Sequence, residues 1–190
     1  MSEFDSRDVD RGDCCVQLPC PYSKQELEEY AAVVRLCIQN EDDALFRNKS
    51  VWHAAIILRE FISAAQESVR VFCGRLNSAV YGKLLSEFKA ACERGVDVKV
   101  LTVSSNVCAV DVAKNLVMQG AFRVMNEETD FPHFVLVDGK RYRLETDEED
   151  KSAIVCACAQ SDENVRMAAS LDVVFDTFWE DTYSYVPESI

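Results

Sequence analysis

The sequence predicts an α/β fold in three layers, a mixed and mostly parallel sheet flanked by helices, and three observations carry that expectation. A β-rich run over 69–74 is followed by helical spacing over 81–94 and a second β-rich run over 96–103. Strand, helix and strand with short joints make a right-handed crossover and so a parallel pair. The unit repeats as a helix over 108–118, ended by Gly120, and a strand over 121–125. Asp138-Gly139 then separates the apolar run 131–137 from a second run over 142–144, a hairpin signal that adds an antiparallel pair.

Taken in order, residues 1–22 mix Asp, Arg, Ser, Gly, Pro and Cys without a period and read as a flexible N-terminal segment or partner-binding arm. Residues 23–49 read as an N-terminal helix and a linker. Ser23 with Glu26 forms a capping-box pattern, and Leu27, Tyr30, Ala31, Val34 and Ile38 recur at helical intervals to about Gln39, before an acidic, turn-like stretch over 40–48. The main α/β domain is expected over 50–181. Ser50 caps a helix running to about Gln66, whose buried stripe is Val51, Ala54, Ile57, Leu58, Phe61 and Ile62. In the helix over 81–94, Leu84, Leu85, Phe88 and Cys92 face inward and Gly95 is its C-terminal cap. After the hairpin comes an acidic run over 145–151 and a nearly apolar strand over 152–159. A closing helix over 163–179 then buries Val165, Met167, Leu171, Val174, Phe175 and Phe178. Residues 182–190 read as a short frayed tail.

Composition bounds the function. The 190 residues, 48% of them hydrophobic, are ample for one sizeable core. The formal charge of -13, from 20 basic against 33 acidic residues, opposes direct nucleic-acid binding over most of the surface and leaves it only to a local basic patch. Nine cysteines, an odd count without a signal-like N-terminus, fit reduced thiols and a cytoplasmic protein. Cys-x-Cys at 156–158 with two histidines, His53 and His133, does not make a zinc knuckle, and neither metal nor cofactor is indicated. No apolar run approaches the ~20 residues that cross a bilayer, so no integral membrane association is expected.

The order of elements over about 50–179 resembles one half of the phospholipase D-like fold. Glu93-Arg94-Gly95-Val96-Asp97-Val98-Lys99-Val100-Leu101 is its best-matching stretch, at the joint between helix and strand that precedes the hairpin. Phe131-Pro132-His133-Phe134-Val135-Leu136-Val137-Asp138-Gly139 is similar to the family's active-site strand, which reads His-x-Lys, four residues, then Asp and usually Gly. The resemblance implies that the His is the nucleophile, that the Lys holds phosphate, and that two copies of the motif meet at one phosphodiester. Aligned on Asp138-Gly139, the nucleophile position holds Phe131 and the lysine position His133; a register with His133 as nucleophile gives Val135 for the lysine and Lys140 for the aspartate. A phenyl ring has no lone pair to attack phosphorus. The family's Gly-Ser-x-Asn segment has no counterpart, since Glu145-Thr146-Asp147 stands in that place. One copy of the motif implies a homodimer for any shared site.

His133, Asp138, Lys140, Arg141 and Arg143 are the candidate residues of a vestigial anion or partner site. Against this stand a satisfied half-buried histidine, and a solvated turn whose Lys140, Arg141 and Arg143 pair with Asp147, Glu148, Glu149 or Asp150. His53 beside Trp52 reads as packed or capping, and Trp52 and Trp179 as covers at the edge of the core. The leading expectation is a non-catalytic phospholipase D-like domain acting as a cytosolic protein-binding or accessory module. The alternatives are a divergent phosphodiesterase or nuclease using His133, and an acidic adaptor or inhibitor of a nucleic-acid-handling protein.

Overall fold

The protein is described by a computed structural model over residues 19–48, 50–102, 109–125, 131–146 and 152–182. Ser23 caps α1 (Lys24–Gln39) through the reciprocal capping box with Glu26, so two otherwise unpaired N–H groups at the helix start are satisfied. Ser50 caps α2 (Val51–Ser63) by accepting from the His53 N–H. Of the expected stripe α2 buries all but Val51, which is half-buried, and it also buries Ile56 and Glu60, because α1 packs across its other side and brings Arg35 to 2.9 Å from the Glu60 carboxylate. The helix expected over 81–94 is broken at Leu84 into a 3-10 turn (Tyr81–Lys83) and α3 (Leu85–Glu93). The break turns Tyr81 and Leu84 inward along with Phe88 and Ala91, whereas Leu85 and Cys92 are only half-buried. Two further helices follow, α4 (Val110–Met118) and α5 (Asp162–Glu180).

The strands are β1 (Leu45–Asn48), β2 (Ser68–Cys73), β3 (Asp97–Thr102), β4 (Phe122–Val124), β5 (Phe134–Val137), β6 (Arg141–Glu145) and β7 (Ala153–Cys156). They form one seven-stranded mixed sheet in the order β1-β7-β6-β5-β2-β3-β4. The β2-β3-β4 end is parallel, as two crossover helices require, but the β5-β6-β7-β1 end and its junction with β2 are antiparallel, so the sheet is mixed and not mostly parallel as expected: the hairpin and the strands that follow it extend it by antiparallel pairing. The stretch 40–48, expected as a turn-like linker, instead carries β1. Its four residues pair with β7, with Phe46 opposite Val155 and Asn48 opposite Ala153; so short a strand, following an acidic stretch, has too little alternation to read from sequence.

Alternation divides the sheet between two cores. Val69, Val71, Val98, Val100, Val135, Val137 and Val155 point toward α1–α4. Phe72, Leu101, Phe134, Leu136, Tyr142 and Cys156 point toward α5. The buried stripe of α5 is Asn164, Ala168, Leu171, Phe175 and Trp179. Val165 and Met167, expected inside, are 47% and 39% exposed. The polar Asn164 is inside because its amide joins the Tyr142 hydroxyl, at 2.9 Å, to Asp43, whose carboxylate also accepts the Gln160 and Ser161 N–H groups.

The hairpin turn is fastened to the start of β2. Asp138, in the left-handed region at φ 52, accepts from the backbone N–H of Gln66, Glu67 and Ser68 at 3.1, 2.8 and 3.1 Å, and returns its own N–H to Ser68 at 2.9 Å. Arg141 donates to the same carboxylate at 2.6 Å. Burial alone would raise the Asp138 carboxyl, but the three N–H donors and Arg141 outweigh it and hold the group below its ordinary value. Replacing Asp138 by Asn keeps a residue that tolerates positive φ and removes the charge; it is expected to cost about 2 kcal/mol in urea unfolding at neutral pH. Because the folded group is depressed, its contribution is present above the unfolded carboxyl range and is lost as pH falls through the folded value. The wild-type advantage over Asp138→Asn should therefore shrink toward about pH 3, and an advantage unchanged with pH would refute this account of the clasp.

Candidate functional site

A ligand site in an open α/β sheet is expected beyond the carboxyl ends of parallel strands where the strand order reverses. Here that place is the end of β2, which has parallel β3 on one side and antiparallel β5 on the other. Phe72 pairs with Phe134, so His133 enters beside Gly74. A Cβ on Gly74 would lie 2.5 Å from His133 Nε2 and 2.7 Å from Cε1, so the absent side chain is what admits the imidazole. The Thr102 hydroxyl donates to the Gly74 carbonyl at 3.0 Å, joining the tips of β2 and β3.

Period-2 alternation puts Arg141, Arg143 and Glu145 of β6 on the same face as Val137 and Val135 of β5. The Glu145 N–H donates to the His133 carbonyl at 2.8 Å, and the Glu145 carboxylate stands between two side chains. Its Oε1 is 3.8 Å from His133 Nδ1, and its Oε2 accepts from Arg143 Nη1 at 3.1 Å. Arg143 Nε donates to Asn48 Oδ1 at 3.1 Å, which places the edge strand β1 in the same network. Arg143 is 4% exposed, so the ion pair with Glu145 works in a low-dielectric interior where an unpaired charge would be costly.

Two phenols border this chain of polar groups. Burial, reinforced by Cys73, drives Tyr81 well above the ordinary phenol value against the opposing pull of Arg143. Burial pushes Tyr30 up to about 12, again against Arg143, and its hydroxyl is buried with no hydrogen-bond partner among the described residues. Both phenols are therefore protonated at neutral pH and available as donors. Chemically, the cluster offers an imidazole next to a carboxylate, a guanidinium already neutralised by that carboxylate, and two neutral hydroxyls.

The five residues expected to share one site divide into two groups at opposite ends of the hairpin. His133 and Arg143 lie in the cluster at the end of β2. Asp138 and Arg141 form the clasp at the other end of β5, and Lys140 pairs there with Glu41 at 3.1 Å. The solvated-turn reading fails for Arg141 and Arg143, which are buried against Asp138 and Glu145. Their expected partners at 147–150 lie outside the described residues. Sequence reasoning missed Asn48, Gly74, Tyr30, Tyr81 and Glu145. Only Glu145 left a trace, as the third member of an alternating Arg141, Arg143, Glu145 set that is continuous with the acidic run. The ring of His53 stacks 4.1 Å from that of Tyr30 and lies 4.6 Å from that of Tyr22, the packed role expected of it. Among the described residues no group of His, Cys, Asp and Glu is placed to hold a metal ion, and no helix is long and apolar enough to cross a membrane.

The contact between Gly74 and His133 gives a two-residue test. Gly74→Ala is expected to destabilise the fold by about 1–3 kcal/mol and to displace the His133 ring, read as a shift of its imidazole NMR signals. In Gly74→Ala combined with His133→Ala most of that cost should disappear; additive losses would mean that the two residues do not press on each other.

No protein-family model matches this chain, and no curated protein sequence does. Solved structures do resemble it. TrmBL2, an archaeal chromatin protein described with a novel mode of DNA binding, superposes with a TM-score of 0.59 at 14% identity, over 85% of this chain and 62% of its own, so the chain spans about three-fifths of that protein. Nuc from Salmonella typhimurium, a phospholipase D family member, superposes with a TM-score of 0.56 at 15% identity, over 76% of this chain and 99% of its own. The seven-stranded mixed sheet with helices on both faces is a phospholipase D-like fold.

Proposed function

We propose that this chain is a non-catalytic phospholipase D-like domain that serves as a protein-binding or accessory module in a reducing cytosol. The observation that carries the reading is the residue at the nucleophile position when the active-site strand is aligned on Asp138-Gly139, which is Phe131. Its ring lies 6.0 Å from those of both Phe72 and Phe134, in the core on the α5 side of the sheet, while His133 lies on the other side against Gly74. Pro132 separates the two, and regular pairing of β5 begins only at Phe134, so Phe131 and His133 precede the strand's regular alternation. A phenyl group packed against that core supplies neither nucleophile nor phosphate ligand. Arg143, the guanidinium nearest His133 in the cluster, is neutralised by Glu145.

The binding partner that fits best is a protein. TrmBL2 is described as binding DNA, but this chain carries 33 acidic against 20 basic residues, and its buried arginines are paired internally. Repulsion of phosphate over the surface favours a protein partner over a nucleic acid. The described cysteines 20, 37, 92, 156 and 158 are free thiols, in keeping with the cytosol. With one motif copy per chain, a homodimer would present the cleft twice.

A second reading, a divergent phosphodiesterase, is favoured by one observation: the Glu145 carboxylate 3.8 Å from His133 Nδ1. A carboxylate that orients an imidazole is how many general bases are built. Both readings are tested by assaying DNA, RNA and a chromogenic diester with the wild type and His133→Ala. The binding module predicts turnover indistinguishable from buffer for both proteins. Wild-type turnover that falls by about 10²–10⁴ in His133→Ala would replace it with the enzyme.

A further inference from the structure

The outward face of α5 is built against the interests of the helix itself. Val165, Ala169 and Val173 follow one another at intervals of four and form an apolar ridge; Val173 is 67% and Val165 47% exposed. Valine is among the weaker helix formers, and an exposed position returns nothing for burying it. Alongside runs a second ridge at the same interval, Asp172, Asp176 and Glu180, like charges spaced so that they repel. Those acids occupy the C-terminal half of α5, whose last turn has no basic residue, and there the helix dipole is itself negative. Among the described residues no cation lies within salt-bridge distance of any of the three. Arg166 is the only basic residue of the helix, and its Nε donates to the Asp162 carbonyl at 3.0 Å. Apolar residues and acids that each weaken an isolated helix, gathered on a face that is largely exposed among the described residues, are the pattern expected of a surface whose compensation comes from outside.

We propose that this face docks a basic amphipathic helix of a partner protein. Ridges at four-residue spacing pack into the corresponding grooves of a second helix, and the small Ala169 between the two valines lets the partner backbone approach. The span from Val165 to Val173 is ~12 Å, about two turns, so the partner places an apolar stripe of that length on the valines. Lys or Arg at intervals of four beside that stripe meets Asp172, Asp176 and Glu180. The proposal gives the binding-module reading a partner class, and it concerns a surface on the opposite side of the sheet from His133.

The test is a titration of the full chain into a fluorescently labelled synthetic probe, a 15-residue helical peptide with Leu at four-residue spacing and Lys at the flanking positions, followed by anisotropy. Affinity is expected to fall about tenfold or more in Asp172→Lys/Asp176→Lys/Glu180→Lys and several-fold in Val173→Ser. A control of equal net charge, Glu28→Lys/Glu29→Lys/Glu93→Lys, should bind as the wild type does. The α5 charge-reversed chain should also unfold at a higher urea concentration than the wild type, because it relieves the C-terminal charge, so lost binding will not reflect lost folding. Equal weakening by the control triple would reduce the effect to net charge and overturn the proposal, as would a Val173→Ser chain that binds unchanged. Light scattering that shows a wild-type dimer split by Val173→Asp would also overturn it, with a second copy as the occupant of the face. No phosphodiester enters the experiment, so phosphodiesterase activity would sink the previous reading without touching this one.

Discussion

The register between β2 and β5 is the constraint on which the rest of the molecule depends, and Asp138 sets it. Here the parallel half of the sheet meets the antiparallel half, and no short turn links the two strands to fix their alignment. The Asp138 carboxylate, held by the N–H groups of Gln66, Glu67 and Ser68, ties the β5-β6 turn to the entry of β2, and Val69 opposite Val137 follows. A slip of one residue would exchange the faces of the strand, carrying the valines to the α5 side and the phenylalanines to the other. The same register delivers His133 to Gly74 at the far end. Asp138 thus works as a backbone clasp, and the polar cluster lies a strand's length away.

Two unequal cores follow from that alternation. On the α1–α4 side the central strands contribute mainly valines, and the layer is polar at one end, where Asn48, Arg143, Glu145 and His133 replace the valine pattern. The α5 side is aromatic, with Phe72 and Phe134 stacked at 5.4 Å, Phe131 set edge-on to both, and Phe175 and Trp179 completing the layer. Phe131 has its place because this layer needs an aromatic there.

The arginines explain why the surface is as acidic as it is. Arg94 donates to the carbonyls of Ile62, Ser63 and Ala65 at the end of α2, and Arg123 to those of Trp179 and Thr182 at the end of α5. Each acts as a cationic cap on carbonyls that the helix leaves unpaired. Arg35 and Arg59 hold Glu60, Arg70 holds Asp97, and Arg141 and Arg143 are buried in carboxylates. With so much positive charge committed to internal joints, many of the acids face solvent alone, and α5 is where they stand beside exposed valines.

The sequence by itself determined the elements whose signals are local. The capping box at Ser23 and Glu26, the helical stripe of α2, the glycines at 95 and 120 with φ of 82 and 68, and the Asp-Gly turn are each written within a few neighbouring residues. From them the α/β class and the order of layers follow. What only the tertiary structure decided were matters settled by a partner distant in sequence. β1 is a strand because β7 offers it an edge. The run over 81–94 breaks at Leu84 although its spacing is helical throughout, and Tyr81 turns inward. Asn164 is inside and Val165 outside because Asp43 and Tyr142, 121 and 22 residues away, complete the hydrogen bonds of the amide. Arg143 is buried because Glu145 and Asn48 meet it there. A local pattern records what a residue prefers, whereas the satisfaction of a buried polar group depends on which groups the fold brings to it.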